Sequence, residues 1–441
     1  MEQPALFELS PAAPSMPAER EASPPRLREA NRTQVLLRPV DLEGLLPEDH
    51  RARLVWAYVE GLDLTPLYQG IQAVEGEAGR PATDPKLLLA LWLYATLEGV
   101  GSARAVARLC EEHVAYQWLC GGVPMNYHTL ADFRTAHVAF LDDLLTRSVA
   151  SLLAEGLVEL TRVAQDGVRV RASAGAASFR RRQTLEQCRA AAEAQVQALR
   201  AELDADPAGT TRRQQKARER AARERTERVA KALAHLPALE AKKKPAEKAA
   251  ARASTTDPEA RVMKMADGGF RPAYNLQFAT DTATQVIVGV DASNAGSDHG
   301  QLAPMVAQVE ARHQQAPGAM LVDGGFVTKE DIEAVSPRTT VYAPVQKPKD
   351  PTRDPHAPLP EDRPAVAAWR ERMGTPEAQA IYKERAATAE CVNAQARNRG
   401  LRQLLVRGLP KVRAIALWYA VAHNLMRALA LGALSGFLHR S

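Results

Sequence analysis

The feature that most limits the fold is a change of period at Gly156. Before it, apolar residues recur at the three- and four-residue steps of helices; after it, Leu157 to Val170 (LVELTRVAQDGVRV) alternates and is rich in Val, which predicts a strand. Tyr274 to Thr280 (YNLQFAT) and Gln285 to Asp291 (QVIVGVD) also read as strands and are separated by Asp281-Thr282-Ala283-Thr284, so they predict a hairpin. A helix over His299 to His313 follows, then a short buried strand over Ala319 to Val322 ending at Asp323-Gly324-Gly325, a short helix, and a strand over Thr339 to Val345. Strand, hairpin, helix, strand, helix, strand, helix is the order of an α/β fold, a mixed sheet flanked by helices.

Ahead of Gly156 the punctuation is helical. Thr83-Asp84-Pro85 offers a cap with Pro at the first helical position, and the run Lys86 to Glu98 (KLLLALWLYATLE) is apolar on most faces, so it must be buried. Gly99 and Gly101 make a turn, Ser102 caps a second helix through Cys110, and Thr129 caps a third that runs toward Gly156. Two helices joined by a short Gly-containing turn, with a third behind, suit a helix-turn-helix-like DNA module and equally an ordinary small helical bundle. In the first case the helix carrying Arg104 and Arg108 is the better candidate for a groove, since Lys86 to Glu98 is too apolar for exposure.

The first 35 residues are rich in Pro, Ala and Glu with no apolar period, and are expected to form a disordered tail rather than a signal peptide. The best membrane candidate, Ala414 to Leu438, is interrupted by His423, Asn424 and Arg427 and reads as a buried C-terminal helix, with His423 and Asn424 as hydrogen-bonded core residues. Cys110, Cys120, Cys188 and Cys391 are scattered without a C-x-x-C pair, which speaks against a disulfide framework or a zinc ribbon. A cytoplasmic protein without membrane contact is expected.

Between the first strand and the hairpin lies an interruption of roughly a hundred residues, far beyond an ordinary connection. Leu185, Cys188, Ala192, Val196, Leu199 and Leu203 recur at helical steps, Asp204 to Gly209 (DADPAG) breaks the run, and a second helical stretch reaches Leu236. This predicts an inserted helical hairpin. From Ser178 to Arg252 nineteen Lys and Arg face ten Asp and Glu, so a chain of net charge +5 holds its positive excess in this one segment. Such a concentration suits contact with a polyanion, although each Arg from 220 to 228 has a nearby Glu, as on any solvated helix.

Three acids stand out by position. Asp166 interrupts a Val-rich strand, where an ionised carboxylate is costly unless paired. Asp323 directly follows a buried strand, at the kind of strand end where such sheets hold ligands. Glu390 lies on one long helix, running from Thr375-Pro376 to Gly400, that also carries Tyr382, Arg385 and Arg397. Chemistry on a phosphodiester wants such a grouping: two divalent ions about 4 Å apart, held by carboxylate oxygens, with Arg385 and Arg397 to grip a neighbouring phosphate. Asp298, within Ser297-Asp298-His299, reads most simply as the N-cap of the next helix, and otherwise as a supporting acid near the metals.

Asp166-Gly167, Ala319 to Phe326 (AMLVDGGF), and Tyr382-x2-Arg385 with Glu390 and Arg397 resemble the three acidic blocks of bacterial insertion-sequence DDE transposases, including the tyrosine-arginine-glutamate-lysine signature of one subgroup. Asp257 to Ala279 and Asn294 to Pro304 resemble connecting stretches of the same proteins, so the likeness runs from about Leu46 to the C-terminus. Arg397 stands where that signature usually has Lys, and Val168 where Thr is frequent; neither departure removes an acid.

The resemblance implies an RNase H-like fold and a transposase that cuts and rejoins DNA. Asp166, Asp323 and Glu390 would be both catalytic residues and metal ligands for two Mg²⁺ ions, Mn²⁺ being able to substitute, and Tyr382, Arg385 and Arg397 would bind DNA. Partners would be transposon ends, target DNA and further copies of the chain, at the nucleoid. The organisation that follows is a tail over 1–35, a helical DNA-binding-like domain over 36–156, and a catalytic domain over 157–441 interrupted by the basic helical insertion at about 176–262. Two other functions share these residues: an RNase H-like nuclease that does not rejoin strands, and a catalytically inactive DNA-binding protein derived from a transposase.

Overall fold

A helix with no polar face organises the first half of the chain. The computed structural model describes residues 33, 41–73, 76, 81–205, 212–348, 350 and 352–433; the tail expected over 1–35 lies outside them apart from Thr33, as do most of the Asp204 to Gly209 break and the last eight residues, 434–441. Helices α1 (Arg51–Glu60), α2 (Thr65–Tyr68), α3 (Pro85–Leu97), α4 (Ala103–Glu112), α5 (Val114–Cys120), α6 (Tyr127–Ala136) and α7 (Val138–Ala154) follow in order. Asp84 caps α3 by accepting from Lys86 N at 2.8 Å, with Pro85 at the first position. Eleven of the thirteen α3 residues are buried, so it has no face left for a DNA groove. By contrast α4 buries only Val106.

The third expected helix is two helices. Asn126 rather than Thr129 caps α6, its side chain accepting from His128 N, and His137 (φ −108°, ψ 46°) leaves helical geometry between α6 and α7.

The sheet is centred on β1 (Arg162–Arg171). It begins later than the Val-rich pattern because Leu160 has a φ of +56°, which an extended strand cannot contain. Inside the long interruption lie β2 (Phe179–Arg180), α8 (Arg182–Ala205), α9 (Arg212–Ala241) and β3 (Ala253–Ser254). Strands β2 and β3 pair antiparallel, and Leu185, Ala232, Leu236, Ala251 and Ala253 form a small separate core there. Part of the hairpin's basic charge is paired within it: Arg182 pairs with Glu240, Arg218 with Glu202, Arg223 with Glu219 and Arg228 with Glu224.

The remaining elements are β4 (Arg261–Lys264), β5 (Phe270–Asp281), β6 (Ile287–Ser293), α10 (Leu302–His313), β7 (Ala319–Leu321), α11 (Lys329–Val335), β8 (Thr340–Tyr342), α12 (Pro364–Met373), α13 (Pro376–Arg385), a π turn over Ala386–Glu390, α14 (Cys391–Asn398) and α15 (Leu409–Ala430). β1 pairs antiparallel with β5 and parallel with β7, which in turn pairs parallel with β8. The far edge of β5 takes β4 near its start and β6 along the rest. Three antiparallel strands continued by two parallel ones, with helices around them, make a mixed α/β sheet of RNase H-like form.

Helix α15 joins the two halves. Trp418 Nε1 donates to Arg134 O at 2.9 Å, while the Arg134 guanidinium lies 4.5 Å over the ring of Trp92 in α3. On the sheet side, Asn424 Nδ2 donates to Ile287 O at 2.7 Å and its Oδ1 accepts from Ile287 N at 2.8 Å, and His423 Nε2 meets Gln285 O at 2.8 Å. The hairpin loop between β5 and β6 therefore finds its backbone partners on this helix. Among the described residues no helix is long and apolar enough to cross a membrane. Replacing Asn424 with Ala leaves two buried backbone groups unmatched, and a loss of about 3 kcal/mol in urea unfolding is expected. A loss under about 1 kcal/mol would show that the loop finds other partners.

Candidate active site

Strand register brings the first two acids together. Ala164 of β1 is level with Leu321 of the parallel β7. Two residues further along each chain stand Asp166 and Asp323, so the carboxylates emerge side by side where β7 has just ended. Asp166 Oδ1 accepts from Gly167 N at 3.0 Å, and Asp323 Oδ1 accepts from Gly325 N at 2.7 Å in the turn that leads away from the sheet.

The helical run α13, π turn, α14 closes over this pair. At 3.6 residues per turn, residues five apart lie roughly 140° from each other around a helix. The wider π turn pairs residues at that separation instead, which turns Arg385 and Glu390 to one side. Arg385 Nη2 then lies 3.1 Å from Asp166 Oδ1 and 3.8 Å from Asp323 Oδ2, and its Nη1 lies 3.4 Å from Glu390 Oε1. Asn393, one turn into α14, donates from Nδ2 to Asp166 Oδ2 at 2.9 Å. Three carboxylates remote in sequence thus meet on one guanidinium, whose side chain is only 10% exposed.

The charge balance is uneven. Burial pushes the Asp166 carboxyl above its usual range, the neighbouring Asp323 charge adds to the rise, and Arg385, Gly167 N–H and Asn393 offset it only in part. Tyr382, half-buried one turn before Arg385, has its hydroxyl raised by burial and lies within electrostatic reach of all three acids.

Among the described residues no three His, Cys, Asp or Glu side chains stand together closely enough to hold an ion as they are. Arg385 stands between them. The donors nevertheless fit a hard divalent cation: they are carboxylate oxygens only, and one guanidinium leaves three negative charges undercompensated. Metal would reach all three acids once the guanidinium moves aside.

Beside the acids opens a cleft of about 640 Å³, lined by Asp166, Asp323 and Asp298 and by five arginines, Arg169, Arg171, Arg271, Arg397 and Arg402. Arg397 therefore faces the same space as two of the acids, whereas Tyr382 and Arg385 do not line it. Asp298 is no helix cap: α10 begins at Leu302, with Gln301 before it. Its Oδ1 instead accepts from Asn275 Nδ2 at 2.6 Å and Gln277 Nε2 at 2.7 Å, both on β5, and its Oδ2 faces Arg169 Nη2 at 3.7 Å. The space comes from Gly167, where a Cβ would sit 2.4 Å from Asp298 Oδ1. Arg169, Arg171 and Arg271 escaped the sequence reading; the one available signal was that Arg169 and Arg171 share a strand face with Gly167.

Residues 40–136 match a family described as a transposase domain (DUF772), and residues 358–429 match a transposase DDE domain. No curated protein and no solved structure matches the chain. The second match takes in Arg385, Glu390 and Arg397, while Asp166 and Asp323 lie outside both. The fold and the two matches support a nuclease or transposase enzyme. Both matches support an insertion-sequence DDE transposase, a group that generally uses a divalent metal.

Because its environment disfavours the charged form, Asp166 destabilises the metal-free fold once ionised. The raised group contributes its stability at acid pH and loses it as pH climbs through the carboxylate range. Asp166→Asn is therefore expected to raise the melting temperature of the metal-free protein at neutral pH and to leave it little changed at acid pH. Equal melting of the two proteins at every pH would mean that Arg385 compensates the charge in full.

Proposed function

We propose that the chain cleaves DNA strands at the ends of its element and transfers them into target DNA. Asp166, Asp323 and Glu390 are the catalytic residues and metal ligands. The observation that supports this most is the meeting of the three acids on Arg385, at the edge of an arginine-lined cleft. When bound, two Mg²⁺ ions, or Mn²⁺ in their place, activate the attacking oxygen and stabilise the leaving one.

The rest of the work falls to the chain's own side chains. Asn393 and Gly167 N–H fix the Asp166 carboxylate, and the turn at Gly325 fixes that of Asp323, so both stay aimed at the same point. Arg397 grips a DNA phosphate in the cleft. Arg385 leaves the acids for a phosphate as DNA and metal arrive, and Tyr382 packs against the same backbone. Nothing in this chemistry needs a nucleophilic side chain, since water and then a DNA 3′ hydroxyl attack.

In the same reading the helical region before Gly156 binds element ends, through the exposed α4 with Arg104 and Arg108 rather than the enclosed α3. The catalytic domain runs from 157 and carries the α8–α9 hairpin as an insertion. Several copies assemble on DNA in the cytoplasm, at the nucleoid.

The test is an incubation of the protein with a labelled element end, taken from the DNA flanking the gene, a target plasmid and Mg²⁺. Joined products are expected, and these cannot come from a nuclease that only hydrolyses. Asp323→Asn, which keeps an acceptor for Gly325 N, is expected to abolish cleavage while binding the end nearly as well as the parent. Cleavage by this variant at the parent's rate would remove Asp323 from the site.

A further inference from the structure

The hairpin of β4 and β5 carries the most exposed of the large hydrophobic side chains among the described residues, Phe270, at 69%. Its strand partner is Lys264, and Val262, two residues back on the same face, is 51% exposed. The hairpin is held firmly. Asp267 Oδ1 accepts from Gly269 N at 3.1 Å and pairs with Arg271 Nη1 at 2.7 Å, Gly268 takes the left-handed φ of +79° that the turn needs, and Arg169 Nη1 donates to Lys264 O at 3.0 Å, tying the hairpin to β1.

Phe270 lines a hollow of about 480 Å³ together with Arg171, Arg271 and Arg407. Arg171 and Arg271 also line the cleft that holds Asp166 and Asp323. The two hollows therefore adjoin along a ridge shared by Arg171 and by Arg271, which pairs with Asp267, with the acids on one side and the exposed phenyl ring on the other.

We propose that Phe270 is a stacking platform for an unpaired DNA base, seated while the backbone of the same strand follows the Arg171 and Arg271 ridge to the acids. The charge around the ring selects a polyanion, and the ring selects a π-face. Inside a duplex each base shows the grooves only its edges, so the base that stacks on Phe270 must lie at a strand end or outside the helix. The inference rests on the DNA-processing reading above and assigns a contact to it.

Binding of the full-length chain, without metal, is measured on a blunt duplex and on one with a short single-stranded overhang containing 2-aminopurine. The parent is expected to bind the overhang more tightly and to quench the 2-aminopurine. Phe270→Ala should weaken overhang binding about tenfold and lose the quenching with blunt-duplex affinity unchanged, Phe270→Trp should restore both, and Phe270→Leu, which keeps apolar bulk without an aromatic face, should not. Unchanged overhang binding in Phe270→Ala overturns the stacking role alone, as does rescue by Leu. A change in molecular mass on light scattering with overhang binding intact would assign Phe270 to contact between copies and overturn it too. Failure of the parent to bind either DNA would overturn both this role and the transposase reading.

Discussion

Arg385 carries a single positive charge into a nearly buried position among three carboxylates, and the candidate site depends on that contact. Side by side on two parallel strands, Asp166 and Asp323 repel each other, and burial raises the cost of charging Asp166 further. The Arg385 cation stands between them and offsets that cost in part, and a third acid, Glu390, leans on it from the helix that supplies it. Arg385 therefore occupies the place that chemistry would give to metal. On the proposed reading the acids are already gathered, and the Arg385 charge would have to move before they could hold metal.

The rest of the chain positions this grouping. The β1–β7 register levels the two Asp residues, and the π turn puts Arg385 and Glu390 on one side of their helical run. Tyr419 of α15 donates its hydroxyl to Val392 O, just before Asn393, and Asn424 of the same helix holds the β5–β6 loop. The segment that steadies the helical run also steadies the sheet. Packing between the two halves of the chain runs through that helix as well: Trp92 lies under the Arg134 guanidinium and Trp418 bonds to the Arg134 carbonyl, and the helical region and the sheet share one core.

Much of this was legible in the sequence, for reasons that differ by residue. Strand β1 was readable because its Val-rich run alternates, and β5 and β6 because short strand-forming runs flank a polar four-residue loop; α3 was readable because thirteen nearly uninterrupted apolar positions admit only burial. Asp166 and Asp323 stood out because each breaks or ends such a run. Asp298 was misread, since Ser-Asp-His ahead of a helix has the composition of a cap, and only the Gly167 gap and the facing Asn275 and Gln277 show its other use. The Gly167 gap is set by the pairing of β1 with β5, more than a hundred residues away in sequence, which no local pattern encodes. The π turn was invisible for a related reason: Ala386 to Glu390 is ordinary helix-forming sequence, and the contacts of Arg385 and Asn393 with Asp166 that accompany its widening are tertiary. The hairpin's arginines suggested DNA by count, yet some are paired with glutamates on the same two helices.

The central claim is that one set of carboxylate oxygens serves Arg385 and divalent metal in turn. It is tested most directly by the anomalous scattering of Mn²⁺ in crystals of the full chain grown with DNA. A Mn²⁺ peak within coordinating distance of Asp166 and Asp323 is expected, with the Arg385 guanidinium withdrawn from both. A peak elsewhere, or a Mn²⁺-loaded crystal in which Arg385 still bonds to Asp166, would contradict it.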